Sequence, residues 1–500
     1  MGFEYELMSN WPCQAWLAEC RKGGQKVTVY HGSRVDVTQE FFCEAVWPGS
    51  YEAGEFDQTD VVAGSGGRIR GKDIIFVSSG STVDRLSMLR RDDGVWLSNS
   101  LVCLLSIIDA ELDPTYGYYY KDLYSVTYGI DNYQRFLSSS KGDIELVYFD
   151  NVLWDGSVAS VIPKPTADIE LANFGQYLGF LERTMERMAE NIQSQSRPKQ
   201  LHMLGTLSTG YDSPTVMTLA SRVGCDEAIC FDRTHLDEED SGETIASYLG
   251  VRPIVLSGTA WRHLQKPEIP FIAANSMGEE VRFSAAEETL AGRVLLTGYH
   301  GDKMWGKHTK HLGPNVVRGD PSGLGLAEFR LWAGFIHCPV PFWAVRFIRD
   351  VNRISNDPEM SQWDVSDEYS RPICRRIVES KGVPREAFGV NKRMASVIIH
   401  NYDEFLTPSS MQDFLLWLKD HRSIWWGRGR IPPLASASLD RRLHQAANLF
   451  ADWAKQQPAI WRMASWFEGK PTYLRRFIFP WAVERAKAQY GEFAPIKSRE

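Results

Sequence analysis

The sequence predicts an α/β protein, with a doubly wound parallel sheet in mid-chain, a strand-rich region before it and a helical region after it. Three observations lead there. Between residues 201 and 297 short apolar runs alternate with helical segments, "LHMLGTLS", "EAICF", "RPIVLS" and "RVLLTG" being the strands. Strands spaced by short helices imply parallel pairing. Up to about residue 165, β-prone runs follow one another with only Gly, Ser and Asp turns between them. Beyond about residue 325 the pattern becomes helical, as in "DFLLWLKDH" and "ADWAKQQPAIWRMASWF".

Taken in order, "QKVTVYHG", "KDIIFVSSG", "GVWLSNSLVCLL" and "IELVYFDNVLW" read as strands of the first region, 1–165. "SVIPKPTADIEL" supplies two prolines and a boundary. Phe174, Leu178, Leu181 and Met185 then recur at helical spacing. After the strand "LHMLGTLS" a helix starts at Pro214, a residue suited to the first helical position, and ends by Gly224. "DSGETIASYLG" is a helix in which Asp240 and Glu243 have capping-box spacing, and Gly250 closes it. "FSAAEETLAG" is the helix before "RVLLTG". The second region spans 166–400 and a Trp-rich helical extension 401–500.

A chain of 500 residues is too long for one core, so two or three domains are expected. Its net charge of −8 argues against general nucleic-acid affinity. The longest apolar run, "LWAGFIHCPVPFWAVRFI", holds His337, Arg346 and two prolines, so it reads as buried core or pocket wall and no membrane span is expected. Eight cysteines show no C-x-x-C pair or metal spacing, and the start "MGFEYELMSNWP" shows no signal peptide. Reduced thiols in a cytoplasmic protein are the expectation. "SIWWGRGRIPP", residues 423–433, reads as a packed turn, and the Trp-rich tail as a cover for the site or a homodimer interface.

The chemistry concentrates in "LSTGYDSPTV", residues 207–216. In an open parallel sheet, ligands sit beyond the carboxyl ends of strands, where helices begin. Gly210 lets backbone N–H groups approach an anion, and Ser208, Thr209 and Ser213 add hydroxyls. Asp212 would repel a bare phosphate, so it calls for a bridging cation, with Mg²⁺ the expected one. No lysine follows the glycine, so this is not a Walker A loop.

"STGYDS" resembles the S-x-G-x-D-S pyrophosphate loop (PP-loop) of the N-type ATP pyrophosphatases, with Thr209 where glycine is usual. "LLTGYHGDKMWG", residues 295–306, resembles the S-G-x-G-A-D-E signature of asparagine synthetases, and places Gly298 and Asp302 on the family's glycine and aspartate. The resemblance covers about residues 170–400. It implies a PP-loop (HUP-type) sheet, ATP and Mg²⁺, and Asp212 and Asp302 as metal ligands. It also implies an ATP-dependent carbon–nitrogen ligase that forms an acyl-adenylate, releases pyrophosphate, and lets a nitrogen nucleophile displace AMP. Small-molecule or peptide carboxylates and amines are the implied substrates. Phe231 and Asp232, after the second strand, fall where the family holds adenine and ribose.

Several positions depart from the pattern. Lys303 replaces the usual glutamate. Tyr299 stands where asparagine synthetases have glutamate and looks like the tyrosine of β-lactam and carbapenam synthetases, which works with a glutamate as base; Glu328 is the expected partner. A phenol needs such a carboxylate to act as a base near neutral pH. Lys392, in "GVPREAFGVNKRMAS", loosely matches the family's phosphate-contacting lysine. Asparagine synthetases also carry an amino-terminal glutaminase with a cysteine after the initiator methionine. Here Gly2 stands there, and Cys13 is the first cysteine. Residues 1–165 are therefore expected to be an α+β relict of the Ntn glutaminase fold, as in β-lactam synthetase and lasso-peptide cyclases, so glutamine is not the expected nitrogen donor. Two other readings stand beside this one: a PP-loop relative with another reaction, such as tRNA modification, and a non-catalytic nucleotide-binding protein.

Overall fold

The computed structural model describes residues 1–114, 116–166, 169–233, 240–365, 369–389, 406–421 and 474–491, with isolated positions between 442 and 457. The expected readings of 423–433 and of most of the Trp-rich tail lie outside these residues.

The first region is built from β1 (Gly2–Leu7), β2 (Trp16–Arg21), β3 (Lys26–His31), β4 (Asp36–Val37), β5 (Phe41–Val46), β6 (Ala63–Arg70), β7 (Asp73–Val77), β8 (Leu86–Arg91), β9 (Gly94–Ser98), β10 (Phe136–Ser139), β11 (Gly142–Val147), β12 (Asn151–Trp154) and β13 (Ala159–Ile162). They form two sheets, ordered β1-β3-β2-β9-β8-β11-β10 and β13-β12-β7-β6-β5-β4. All pairs are antiparallel except β1 with β3. Apolar residues from both sheets, Trp16, Val29, Phe42, Phe76, Leu97 and Trp154 among them, share one buried cluster. The run "GVWLSNSLVCLL" is not one strand. Its second half is helix α1 (Leu101–Ile107), because Ser100 caps it by accepting from the Cys103 N–H at 2.9 Å. A short apolar run does not distinguish strand from buried helix, and here the cap decides. Helix α2 (Tyr119–Tyr124) follows.

The second region opens with α3 (Phe174–Ile192), whose expected apolar face is anchored by buried Phe174, Leu181 and Met185. Strands β14 (His202–Leu207), β15 (Glu227–Phe231), β16 (Arg252–Leu256), β17 (Arg293–Thr297) and β18 (Ile336–Pro339) form a parallel sheet in the order β16-β15-β14-β17-β18. Four of them coincide with the sequence reading. β18 was hidden in the apolar run around His337, where two prolines obscure a four-residue strand buried along its whole length. Between the strands lie α4 (Asp212–Ala220), α5 (Glu243–Leu249), α6 (Ile269–Asn275), α7 (Glu287–Leu290), α8 (Gly301–Met304) and α9 (Leu326–Ala333). α4 starts two residues before Pro214, and Gly250 closes α5 in the left-handed conformation, as expected. α10 (Ile348–Ser355), α11 (Pro372–Glu379), α12 (Pro408–Asp420) and α13 (Ile478–Lys487) complete the described helices. None of the described helices is long and apolar enough to cross a membrane.

Beyond the cluster between its own sheets, the first region shares buried core with the second. One buried cluster joins Leu104, Leu146 and Tyr148 to Leu204, Phe271, Leu326 and Trp481. A dry ion network crosses the same boundary. Arg330 on α9, 1% exposed, reaches Glu44 at 2.6 Å and Asp84 at 2.9 Å. Glu44 also accepts from Ser65 at 2.5 Å and Asn99 at 3.1 Å. All eight cysteines are free thiols; seven are buried and Cys13 partly so.

Candidate functional site

β14 and β17 are neighbours in the sheet, and the strands that follow them, β15 and β18, lie on opposite sides. At such a switch point the loops leaving the strand ends part and open a crevice. Loop 208–211 leads from β14 into α4, and loop 298–300 leads from β17 into α8. Glycines set how closely the two approach. A Cβ on Gly298 would fall 2.6 Å from Cβ of Asp212 and 2.8 Å from the Ser213 nitrogen. A Cβ on Gly301 would fall 2.5 Å from Cγ of Asp212. Any side chain there would push the loops apart.

A cavity of about 610 Å³ lies at this place, and Ser208, Gly210, Asp212, Ser213, Phe231, Gly298, Tyr299 and Asp302 line it. The loop before α4 is held by its own hydroxyls. The Ser208 N–H donates to Ser213 Oγ at 3.0 Å, the two hydroxyls are 3.0 Å apart, and the Gly210 N–H reaches Ser208 Oγ at 3.4 Å. Buried Tyr211 anchors the loop from behind: its hydroxyl accepts from Arg375 at 2.9 Å, and its ring packs on Tyr369 at 4.9 Å. Thr209 does not line the cavity. Its N–H and hydroxyl both bond Asp240 Oδ1, at 3.1 and 2.6 Å. Asp240 is therefore not the cap of α5, whose cap position is Gly242 with no side-chain bond.

Asp212 forms an ion pair with Arg371, from the loop entering α11. Burial raises the Asp212 pKa and Arg371 opposes this, while Asp302 and Asp320 raise it further. Carboxylates gathered on one crevice concentrate negative charge, which a hard cation would offset. Among the described residues, no three His, Cys, Asp or Glu side chains gather closely enough to hold a metal by themselves. Asp212 and Asp302 both line the crevice, and two carboxylates are a donor number that a Mg²⁺ site commonly takes when phosphate oxygens and water complete it.

Tyr299 lines the cavity, but its expected partner does not. Glu328 is buried beneath α9, where it accepts from Tyr490 at 2.6 Å, Ser100 at 2.7 Å and Trp332 at 3.1 Å. Its carboxylate satisfies two buried hydroxyls and the half-buried Trp332 indole and does not line the crevice. The carboxylate that acts on Tyr299 is Glu280, fully buried and held at 2.9 Å by the Gly323 N–H. Burial and then Glu280 push the Tyr299 phenol far above its ordinary range, and Arg282, hydrogen-bonded to it, only partly opposes them. The phenol stays protonated. Behind it, a Cβ on Gly323 would meet Val83 at 2.9 Å, Tyr299 at 3.1 Å and His337 at 3.2 Å. A residue of the first region thus packs behind Tyr299, outside the cavity lining.

Asp232 also lies outside the cavity lining. Its Oδ1 accepts from the Gly258 N–H at 2.9 Å and shapes the turn after β16. Lys392 lies outside the described residues. Cys13 donates to the Leu331 and Trp332 carbonyls at 3.6 and 3.7 Å, and burial raises its pKa, so it is not an activated thiol.

Sequence reasoning missed Arg282, Asp320 and Arg371 and took Lys303 only as a departure, yet all four line the cavity. Arg282 is 8% exposed and lies over the Phe231 ring at 4.2 Å. His300, between Tyr299 and Gly301, is 4% exposed, adopts φ +73° and stacks on Phe342 at 4.6 Å. Burial, with Arg318 and then Lys303 also lowering it, brings its pKa to about 3, so the imidazole is neutral. No regular spacing marks these positions, and only the fold brings them together. No family model matches the chain, and no curated protein matches it.

Proposed function

We propose that this chain is an ATP-dependent, AMP-forming carbon–nitrogen ligase of the asparagine synthetase-like kind, on a PP-loop (HUP-type) sheet, that does not take its nitrogen from glutamine. The observation that carries the reading is the convergence of the loops after β14 and β17, with Asp212, Asp302 and Arg371 around one cavity. Its volume suits a nucleotide-sized ligand.

In this reading ATP lies across the crevice with its triphosphate on the start of α4. Ser208, Ser213 and the Gly210 N–H are donors to the pyrophosphate oxygens. Asp212 and Asp302 would hold Mg²⁺, which, when bound, neutralises charge that develops on the triphosphate. Arg371 and Lys303 supply protein cations for the same charge, the part expected of Lys392 from its sequence position. Phe231, with Arg282 stacked on it, forms the apolar wall for the base. The substrate carboxylate attacks the α-phosphorus and pyrophosphate leaves; an amine or ammonia then attacks the acyl carbon and AMP leaves. Tyr299, held neutral, donates a hydrogen bond to the acyl carbonyl oxygen, Arg282 orients the phenol, and the proton lost by the attacking amine passes to the AMP phosphate or to water.

The test is pyrophosphate release from Mg-ATP with a panel of amino-acid and hydroxy-acid carboxylates and hydroxylamine as trapping amine. Carboxylate-dependent AMP and pyrophosphate, abolished by Asp212→Ala and Asp302→Ala, is the expected result. Release unaffected by both substitutions overturns the reading. A second reading, a nucleotide-binding protein without turnover, draws on Thr209, whose N–H is engaged by Asp240. Its signature is Mg-ATP bound with no AMP formed for any acid offered.

A further inference from the structure

We infer that Asp320 holds the attacking nitrogen, its carboxylate accepting a hydrogen bond from an N–H of the amine that displaces AMP. The inference rests on the ligase reading above and adds a residue that lies in neither sequence motif.

Asp320 lines the cavity and keeps part of its surface accessible. It stands in the connection from α8 to α9, between two glycines that mark the path of the chain. A Cβ on Gly319 would fall 3.0 Å from Asp302 Oδ2 and 2.6 Å from Cε of Lys303, and one on Gly323 would fall 3.1 Å from the Tyr299 ring. The loop therefore runs from the cation end of the crevice to the phenol, and the Asp320 charge acts on both Asp212 and Tyr299. In the ligase reading the acyl-adenylate forms and is attacked between those two ends. The loop is also fixed. The Ser322 N–H donates to Asp320 Oδ1 at 2.9 Å, and the Arg318 guanidinium donates to the Ser322 carbonyl. The Arg318 N–H donates to the Thr127 carbonyl at 2.9 Å and the Gly323 N–H to Glu280 at 2.9 Å. A carboxylate held this way is in place before its ligand arrives.

The surroundings select the ligand chemistry. The other carboxylates of the cavity lining already have work. Asp240 takes both donors of Thr209, and Asp212 pairs with Arg371 and shares the proposed cation with Asp302. Asp320 does not join those two around a metal, because no three such side chains gather closely enough among the described residues. Arg318, the cation that acts on Asp320, lies outside the lining, so the face offered to the cavity is the carboxylate. It repels the triphosphate and the acid substrate, both anions, whereas the amine brings N–H donors. As the C–N bond forms, the nitrogen gains positive charge that a fixed carboxylate stabilises. The bond from the acyl carbon to the AMP oxygen then breaks with its electron pair on AMP. The amine proton goes to that phosphate or to water, so Asp320 itself takes none.

The experiment separates the two half-reactions in the full chain. Carboxylate-dependent ATP–pyrophosphate exchange reads adenylation without an amine, and hydroxamate formation at low hydroxylamine reads capture of the adenylate. Both use the carboxylates that support exchange in the wild type. Wild type, Asp320→Asn and Asp320→Ala are compared, with thermal melts and Mg-ATP calorimetry for each. In Asp320→Asn the amide oxygen keeps the Ser322 N–H, and the amide nitrogen turns a donor toward the cavity where an acceptor stood. The expected result is exchange and Mg-ATP affinity within threefold of wild type, with kcat/KM for hydroxylamine at least tenfold lower in both variants. Exchange lost together with capture assigns Asp320 to an amino group of the acid and overturns the inference. Weakened Mg-ATP binding assigns it to the cation and does the same. Capture at the wild-type rate overturns it as well, while the ligase reading stands. A wild type in which no carboxylate supports exchange overturns both. Should Asp320→Ala melt without cooperativity, Asp320→Asn decides by the same criteria.

Discussion

Thr209 gives both its amide N–H and its hydroxyl to one oxygen of Asp240, at 3.1 and 2.6 Å. A carboxylate thus holds a backbone donor at the start of α4, the place proposed for phosphate. Removing it frees the N–H and deletes a negative charge beside the anion site. Asp240→Ala is expected to bind Mg-pyrophosphate more tightly, by about 1 kcal/mol or roughly fivefold for a screened charge at this range. Asp212→Ala and Asp302→Ala are expected to change binding in the opposite direction. Calorimetric titration distinguishes the signs.

Glu328 holds Ser100, Tyr490 and Trp332 together outside the cavity lining. Glu328→Ala removes the shared acceptor of Ser100, Tyr490 and Trp332, leaving the two hydroxyls only each other at 3.0 Å, and is expected to cost about 1–3 kcal/mol of stability. The midpoint of urea unfolding should fall. Mg-ATP affinity per folded molecule should stay at the wild-type value, which a base working with Tyr299 would not require but a cavity residue would violate.

Arg330 neutralises two buried carboxylates, Glu44 and Asp84, on the other region of the chain. Arg330→Met leaves both uncompensated and is expected to destabilise by about 3–5 kcal/mol. Denaturant unfolding followed by tryptophan fluorescence reads this loss. Replacing all three residues with apolar ones of similar volume should recover much of it.

Lys164, 3% exposed, donates to the Ser78 carbonyl at 2.7 Å and Asn151 Oδ1 at 2.5 Å, and burial lowers its pKa to about 7. In the unfolded chain its pKa returns to about 10.4. Between these values the unfolded state holds a proton that the folded state has released, so stability rises with pH in this window. Lys164→Met is expected to remove that rise. Stability measured at pH 7, 7.5 and 8 for both proteins checks it, a window below the ordinary thiol pKa of about 8.5.

Asp212 and Asp302 were legible because each lies a few residues beyond an apolar strand, shortly after a glycine and at the start of a helix, whereas Asp320 carries no such mark. A strand, a glycine and a helix start are local features, and local features survive in sequence. Arg371 arrives from a separate helix, and Glu280 from the segment after α6, so their approach is a property of packing alone. Glu328 shows the opposite error. Its distance along the chain from Tyr299 suggested proximity, but the turn of α9 points it at partners 228 and 162 residues away. The parallel strands β14 to β17 could be read because each is apolar and bounded by turn residues. β18 could not, because its prolines and its burial imitate a loop through the core.

Gly323 is where Val83, Tyr299 and His337 meet. The amino-terminal sheets are therefore not a passenger that could be shed or exchanged. A change at Val83, which lies far from either motif, would reshape the chamber behind Tyr299 as directly as a change in the loops. Through this contact the amino-terminal sheets and the parallel sheet share one packed wall beside the loop that carries Tyr299.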